Sequence, residues 1–402
     1  MAFKWGMSNE KKLAIGTLTT VFGNKVFDIS CNVFIAQMGA AASFFTAIYQ
    51  SSESFIAVLV NLFAGVWADR SKDKRRILVV TDFLCGLVCL ILTFLMQSAI
   101  ALYAIIATNI ILSILETFNS PAAKTIVRFA LPKERIAPYN SYIKGIREVL
   151  KISSPFVSGI ILYLFSIPAA IFFNAVTFFV SALCEYRLIV EPSEDSDRSQ
   201  KKPSFLRDLH DVWIYLKTER ALLFIIIVAS LYNFFIAGFN LFMPYTYKLV
   251  DSAINPYTIF VSAEAVGGLM GAFITAKLKK TSTNHLVLFL FLSGLSILLL
   301  YAAFALSRSI YPPMVAIALF SIFLTCFNIV FTSKVQTDID ERYIGRVFSF
   351  IVMVALLLMP VGSFFFAAVF TSEGTIQYLF SGAGIVLMAL ASYFICHKFD
   401  KA

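Results

Sequence analysis

Ionisable side chains lie inside the most apolar stretches of this sequence, where a charge is costly to keep. The first half contains eight of them, four basic and four acidic. They are Lys25, Asp28, Glu53, Glu116, Lys144, Arg147, Glu148 and Lys151. The second half contributes Glu264, with Lys277 near one rim. Because such residues usually face a wet cavity and pair with one another, the pattern indicates proton exchange or the binding of a charged ligand.

Three polar stripes place most of these charges on shared helix faces, because residues three or four apart lie on the same side of a helix. The stripes contain Asn24, Asp28 and Asn32 with Lys25 beside them, then Asn109 and Glu116, then Lys144, Glu148 and Lys151 with Arg147 beside them. We expect the three faces to line one wet cavity. The alternative is a salt-bridge network that holds the first half together, which the equal number of the two signs favours.

A carboxylate deep in a membrane can load and release a proton near neutral pH. Asp28 lies near the middle of its apolar stretch, and Glu53 lies nearer the outer end of the next one. We predict that at least one of these two carries a coupling proton, with Glu116, Glu148 and Glu264 as the next candidates. The three histidines lie at the ends of apolar stretches, so they do not suit this role.

The second half offers aromatic faces in place of charges. Phenylalanines recur at helical spacing around Phe239 and Phe327, with Asn233 and Asn328 as polar neighbours. Such a stripe is more often helix packing than ligand contact, although it also suits a bulky hydrophobic substrate that binds through apolar area and a few polar anchors. We include these four residues in the predicted substrate cavity. The cavity residues from the first half are Asn24, Lys25, Asn32, Asn109, Lys144, Arg147 and Lys151.

Membrane-spanning helices are the elements that must position these residues. The 402 residues are 59% hydrophobic and 14% charged, whereas a soluble domain has about 25% charged residues. A span needs about 20 mostly apolar residues, and on this basis we predict an all-α integral membrane protein with twelve spans. The predicted spans are 13–38, 43–67, 76–97, 99–122, 140–165, 168–190, 221–247, 256–278, 284–306, 312–333, 345–370 and 375–396.

The distribution of Lys and Arg predicts the orientation of the spans. With the N-terminus inside, the outer loops hold only Lys248 and Arg308 among the basic residues. This asymmetry predicts cytoplasmic N- and C-termini in a bacterial inner membrane. It also excludes nucleic acid as a partner, because the net charge of +9 is spread along one face of the bilayer. We expect the chain to be a monomer surrounded by lipid.

An internal repeat divides the predicted spans into two six-helix halves. GVWADRSKDKRR begins at Gly65 and GAFITAKLKKTS begins at Gly271, and two further pairs of segments recur at nearly the same offset. We therefore predict an N-terminal bundle over 1–190, a cytoplasmic linker over 191–220 and a C-terminal bundle over 221–402. Two parallel six-helix repeats around a central pathway are typical of one large class of transporters.

The stretch GVWADRSKDKRR resembles the loop-2/3 motif of the major facilitator superfamily, roughly Gly-x-x-x-Asp-Arg-x-Gly-Arg-Arg. Gly65, Asp69 and Arg70 match by position, and Arg75 belongs to the basic run. That run and FNSPAAKTIV look most like the macrolide-efflux and siderophore-export branch. The resemblance implies a conformational latch, in which Asp69 satisfies the free amides of a helix N-terminus in the other half and the basic run anchors the loop at the inner leaflet. The alternative is a plain positive-inside loop.

The resemblance implies a drug:proton antiporter that exports a hydrophobic drug or similar small molecule by alternating access. One alternative is an exporter of a siderophore, metal chelate or other charged metabolite, and another is a non-transporting membrane receptor or scaffold. The sequence has no GxxxxGK[ST], no HExxH and no convincing nucleophile–base constellation. We therefore expect no cofactor, no metal site, no catalytic residue and no enzyme activity.

Overall fold

The computed structural model describes residues 8–39, 42–70, 73–189, 205–278, 282–339 and 344–399, and the regular elements in these ranges are helices. The α-helices are α1 (Asn9–Ala36), α2 (Ala42–Arg70), α3 (Lys74–Leu95), α4 (Ala101–Ala130), α5 (Lys133–Leu164), α6 (Ile167–Tyr186), α7 (Phe205–Thr218), α8 (Arg220–Phe242), α9 (Pro256–Ala276), α10 (Thr283–Leu306), α11 (Tyr311–Asp338), α12 (Ile344–Val369) and α13 (Ile376–Phe399). A 3-10 helix, Met243–Lys248, follows α8.

Every α-helix in these ranges except α7 has at least 20 residues, and these long helices follow the twelve predicted spans in order. Eight helical stretches are long and apolar enough to cross a membrane within the described residues. The long helices α1 and α5, which carry most of the intramembrane charges, are outside that set. Helix α4 runs to Ala130 and α5 begins at Lys133, so both helices extend well beyond the predicted spans 99–122 and 140–165.

Several helices begin at residues whose side chains accept a hydrogen bond from the first turn. Asp73 departs from the loop-2/3 motif, and it is the N-cap of α3, where its carboxylate accepts from the Arg76 amide at 2.9 Å. Ser166 caps α6 in the same way, and Pro168 follows in the first turn. Proline is tolerated there because the first amides of a helix have no partner within the helix.

The chain forms two compact units. The first contains residues 1–35 and 52–199, and the second contains 36–51 and 200–402. The corner between α1 and α2 therefore belongs to the second unit, although the repeat predicts a break only near 190. The predicted linker 191–220 is helical from Phe205 to Thr218, and α7 packs on α8 and α12 of its own unit with Val212 and Leu216 buried.

Close helix contacts in the second unit depend on small residues. A Cβ atom added at Gly271 of α9 would lie 2.5 Å from the Ile322 carbonyl oxygen of α11. The Cys326 thiol of α11 donates to the Gly271 carbonyl at 3.3 Å, so the backbone of α9 lies within hydrogen-bond reach of an α11 side chain. Glycine is required at this point because any side chain would push α9 away from α11. This glycine also begins the second copy of the sequence repeat.

Candidate functional site

A polar cavity of about 470 Å³ lies within the first unit, between α1, α3, α4, α5 and α6. Its polar lining consists of Thr17, Thr20, Asn24, Asp82, Glu116, Asn119, Ser120, Lys124, Tyr139, Asn140, Lys144, Arg147, Ser181 and Glu185. These residues lie toward the helix ends that the Lys and Arg distribution predicts to be cytoplasmic. Of the predicted site residues, the cavity brings together Asn24, Glu116, Lys144 and Arg147.

Glu116 stands at the end of a chain of side-chain amides. The Asn24 amide donates to Glu116 Oε1 at 2.5 Å, and the buried Asn174 amide donates to Asn24 Oδ1 at 3.4 Å. The Thr177 hydroxyl lies 2.8 Å from the Asn174 carbonyl oxygen and 3.1 Å from Asn174 Oδ1, so it can donate to either atom. Gly23 allows α1 to approach α6 here, because a Cβ would collide with Thr177 and Asn174. The Glu116 side chain itself remains exposed to the cavity.

Asp82 of α3 is buried and fully supported by polar neighbours. The Asn119 amide donates to Asp82 Oδ1 at 2.9 Å and to Thr81 Oγ1 at 2.8 Å. The Ser181 hydroxyl of α6 is a further hydrogen-bond partner of Asp82. These contacts connect α3, α4 and α6 around one carboxylate, whose partners among the described residues are all neutral donors.

Glu185 of α6 is only 9% exposed and lines the same cavity. Its Oε2 atom has no hydrogen-bond partner among the described residues, and Asp82 is its electrostatic neighbour. A buried carboxylate oxygen without a donor is unusual, because burying a polar group without a hydrogen bond carries a penalty. Neither Asp82 nor Glu185 is among the site residues predicted from the sequence, because both lie close to the ends of predicted spans. The signal available in the sequence was the four-residue spacing of Ser181 and Glu185, which places both side chains on one face of α6.

The basic side of the cavity consists of Lys124 of α4 and Lys144 and Arg147 of α5, and all three side chains are exposed. None of the three forms an ion pair with a carboxylate in the part of the chain that the structure describes. Glu148 and Lys151 are also exposed on α5 but do not line this cavity. The alternative interpretation, a salt-bridge network in the first half, therefore finds no ion pair at Lys144, Arg147, Glu148 or Lys151 within the described ranges.

The other predicted polar residues of the first unit lie outside the lining of this cavity. Lys25 Nζ lies 3.7 Å from Asp28 on α1, and the Asn32 amide donates to the Asp28 backbone oxygen at 2.8 Å. The Asn109 amide of α4 donates to Ser52 of α2 at 2.9 Å. The side chain of Glu53, one residue further along α2, is exposed.

The predicted site residues of the second unit lie among packed aromatic rings. Phe239 is completely buried, and its ring centroid lies 4.6 Å from that of Phe320. Phe327 is buried against Tyr232, with 4.9 Å between the ring centroids. These two phenylalanines are core residues in this structure, and their role as substrate contacts stays a prediction. The remaining predicted residues here are Asn233, which is half-buried, Asn328, which is exposed, and Glu264, whose carbonyl accepts from Ser321.

The loop-2/3 motif lies between α2, which ends at Arg70, and α3, which begins at Lys74. The side chains of Asp69 and Arg70 and the surroundings of Gly65 lie outside the described part of the structure, so the latch stays a prediction.

Arg75 donates to the Leu188 carbonyl at 3.1 Å, and Lys12 donates to the Arg187 carbonyl at 2.8 Å. Both side chains therefore satisfy carbonyl groups just after the C-terminus of α6, where cations are favoured.

Comparisons with known proteins identify the same family as the loop-2/3 motif. The family model of the Major Facilitator Superfamily matches residues 13–363. Macrolide efflux protein A of Streptococcus pyogenes is 23% identical over 337 residues, which cover 81% of this chain and 80% of that protein. The Staphyloferrin A transporter of Staphylococcus aureus is 23% identical over 387 residues, covering 94% of this chain and 93% of that protein.

The fold is similar to that of solved transporters. The crystal structure of the nucleoside transporter NupG has a TM-score of 0.74 at 15% identity, and the match covers 96% of this chain and 98% of that chain. At this identity the likeness shows the fold alone. Together with the family match over most of the chain, it identifies a multi-pass membrane transporter, not an enzyme, and the chain belongs to the Major Facilitator Superfamily.

Proposed function

We propose that this transporter exports a small organic molecule in exchange for protons, and that Glu116 is the principal proton carrier. The observation that carries the proposal is the position of Glu116, which is exposed to the polar cavity and held by a neutral amide, Asn24, at 2.5 Å. A carboxylate with a neutral donor and open space can hold either a proton or the cationic group of a ligand. Competition between the two would couple their movements.

Glu116 suits this role better than Asp28 and Glu53, the two carboxylates that the sequence favours. Asp28 has Lys25 at 3.7 Å, so its charge is already compensated on the same helix. Neither Asp28 nor Glu53 lines the cavity. A proton carrier that meets the substrate must share its space, and Glu116 is the one of the five predicted carriers that does so.

The direction of transport is proposed from the relatives and from the placement of the cavity. Macrolide efflux protein A is named for efflux. The cavity lies near the helix ends predicted to be cytoplasmic, where an exporter in the inner membrane would load its substrate. In the proposed cycle Glu116 releases a proton to the cytoplasm, the substrate binds, and a proton from outside displaces the substrate after the cavity has reopened there.

The polar lining supports a charged substrate over a purely hydrophobic drug. The cavity has three carboxylates and three cations, whereas the predicted aromatic contacts Phe239 and Phe327 are core residues here. A hydrophobic ligand would have to desolvate the charged groups without replacing their water contacts. We therefore place the exporter of a charged metabolite or chelate ahead of the exporter of a hydrophobic drug.

Inside-out membrane vesicles test the proposal. The vesicles are acidified by respiration, and a pH-sensitive dye reports proton release when candidate compounds are added, including macrolides, carboxylate chelators and amino-acid derivatives. We expect at least one compound to release protons in wild-type vesicles and none to do so in Glu116→Gln. Glu134→Gln, which alters an exposed residue of the first turn of α5, is the control. Full proton release in Glu116→Gln would exclude this residue as the carrier. Substrate uptake that does not depend on the proton gradient would exclude proton exchange.

A further inference from the structure

We infer that the cavity of the first unit selects zwitterionic substrates, that is, small molecules with both an ammonium-type cation and a carboxylate-type anion. This inference rests on the proposed export function and names its substrate class. The evidence is the arrangement of the charged residues that line the cavity, which separates the two signs by helix.

Carboxylates and cations come from different helices. Among the charged side chains of the lining, those of α3 and α6 are carboxylates, those of α5 are cations, and α4 contributes one of each. The six residues are Asp82, Glu185, Lys144, Arg147, Glu116 and Lys124. When all six are ionised, the three negative charges balance the three positive charges. A ligand with one net charge would leave one side uncompensated, whereas a zwitterion matches both.

The two sets of charges are held apart. No nitrogen of one set lies within 4.0 Å of an oxygen of the other in the described ranges, although opposite charges in one cavity attract. On α4, Glu116 and Lys124 are eight residues apart, which corresponds to about 12 Å along the helix axis. The separation leaves room for a ligand whose own charges lie several ångströms apart.

The acidic side lacks a cationic donor. The Glu185 Oε2 atom is buried in the cavity wall without a hydrogen-bond partner, and the partners of Asp82 are the neutral groups of Asn119 and Ser181. An ammonium group carries three N–H donors and a positive charge. It would satisfy the unpartnered oxygen of Glu185 and compensate Asp82 at the same time.

The basic side lacks an anion. Arg147 presents a planar guanidinium that can hold a carboxylate with two parallel hydrogen bonds, and Lys144 supplies a compact charge less than one helical turn away. Both side chains are exposed at the cavity, and neither has a carboxylate partner among the residues that the structure describes. An anionic group of the ligand would complete this side.

Matched probes test the inference on the purified full-length protein in detergent. The probes are 4-aminobutanoate, 6-aminohexanoate and 8-aminooctanoate, each compared with the alkylamine and the alkanoate of the same chain length. The unfolding temperature is measured against probe concentration, which gives an apparent dissociation constant. We expect at least one amino acid to bind about 10- to 100-fold more tightly than both of its singly charged analogues, since each lost charge-assisted hydrogen bond reduces affinity by such a factor.

Variants assign each side of the cavity. Arg147→Met should weaken binding of the amino acid and the alkanoate but not of the alkylamine, and Glu185→Gln should weaken binding of the amino acid and the alkylamine but not of the alkanoate. The controls are Arg128→Met and Glu134→Gln, which alter exposed residues outside the lining. The unfolding temperature without probe shows whether each variant is folded, and the wild-type comparison of probes stands even where a variant is unstable.

Three outcomes would overturn the inference: amino acids that bind no better than their singly charged analogues, binding that only acidic-side variants weaken, or binding that only basic-side variants weaken. The titrations need no proton gradient. Failure of the proton-release experiment with intact zwitterion binding would therefore contradict the proposed exchange alone. Proton release driven by compounds of a single charge would contradict the zwitterion alone.

Discussion

The hydroxyl groups of Thr46 and Tyr245 lie 2.8 Å apart, and both side chains are buried in the second unit. The Thr46 hydroxyl also lies 3.0 Å from the Ala42 carbonyl, to which it donates. Because a threonine has a single hydroxyl proton, the Tyr245 phenol must be the donor to Thr46. A second phenol, that of Tyr247, donates to the Ala36 carbonyl at 3.2 Å. The corner between α1 and α2 is therefore fastened to the 3-10 helix at two points.

This donor assignment predicts unequal effects of two conservative substitutions. Tyr245→Phe removes the donor but leaves Thr46 with its Ala42 contact, so we expect a loss of about 1 kcal/mol of stability. Thr46→Val removes the acceptor and leaves a buried phenol without a partner, so we expect a larger loss of about 2 kcal/mol. Thermal unfolding of the purified variants should rank them in this order. The reverse order would show that Thr46 is the donor.

Arg75 and Asp69 belong to one motif but should give different defects. Arg75 satisfies the Leu188 carbonyl after α6, so Arg75→Ala should lower stability by about 1 kcal/mol. Asp69→Asn should lower transport with little change in expression or unfolding temperature, as the predicted latch requires. Transport in vesicles and unfolding in detergent are measured on both variants. Normal transport by Asp69→Asn would exclude the latch and leave the interpretation of the motif as a positive-inside loop.

The amide chain that ends at Glu116 predicts a graded loss of exchange. Asn24→Leu removes the amide that donates to Glu116, and a hydrogen bond to a charged group is worth about 1.5–3 kcal/mol. We therefore expect proton release driven by substrate to fall about tenfold or more. Asn174→Leu removes only the next amide of the chain and should have a smaller effect. Equal proton release by wild type and Asn24→Leu would show that Asn24 does not contribute to proton coupling.

Phe239 distinguishes packing from ligand contact in the second unit. Its ring is completely buried against Phe320, so Phe239→Ala should destabilise the protein by about 3 kcal/mol. Phe239→Leu retains most of the volume and should lose less. If the residue is core alone, the affinity of folded protein for the probes stays unchanged in Phe239→Leu. If Phe239→Leu lowers the affinity for the probes at an unchanged unfolding temperature, Phe239 contacts the substrate.

Helical spacing predicted which residues share a face, and for α1 and α4 this was enough to relate Asn24 to Glu116. Spacing does not determine what the face meets. The aromatic stripe around Phe239 and Phe327 has the same period whether it packs on another helix or lines a cavity, and here it packs. The charges of α5 likewise share a face, but their positions along the chain could not show that Lys144 and Arg147 face a cavity without carboxylate partners.

Residues near the helix ends were the hardest to predict. Asp82 and Glu185 lie close to span boundaries. A charge there normally faces water, so it does not by itself indicate a functional site. Only the packing of α3 on α6 makes them buried members of one site. Helix α7 was not predicted for a related reason, because the polar residues that predict a linker over 191–220 continue into the first turns of this helix.

The fastening of the α1–α2 corner has a consequence for biosynthesis. Thr46 and Tyr245 are separated by 199 residues, so at ribosomal rates of about 5–20 residues per second Tyr245 is made roughly 10–40 s after Thr46. During that interval the corner has inserted without the partner that buries it. We therefore expect nascent chains that stop before the 3-10 helix to leave this corner uncovered, so the corner reaches its native packing only after the first part of the second half has been synthesised.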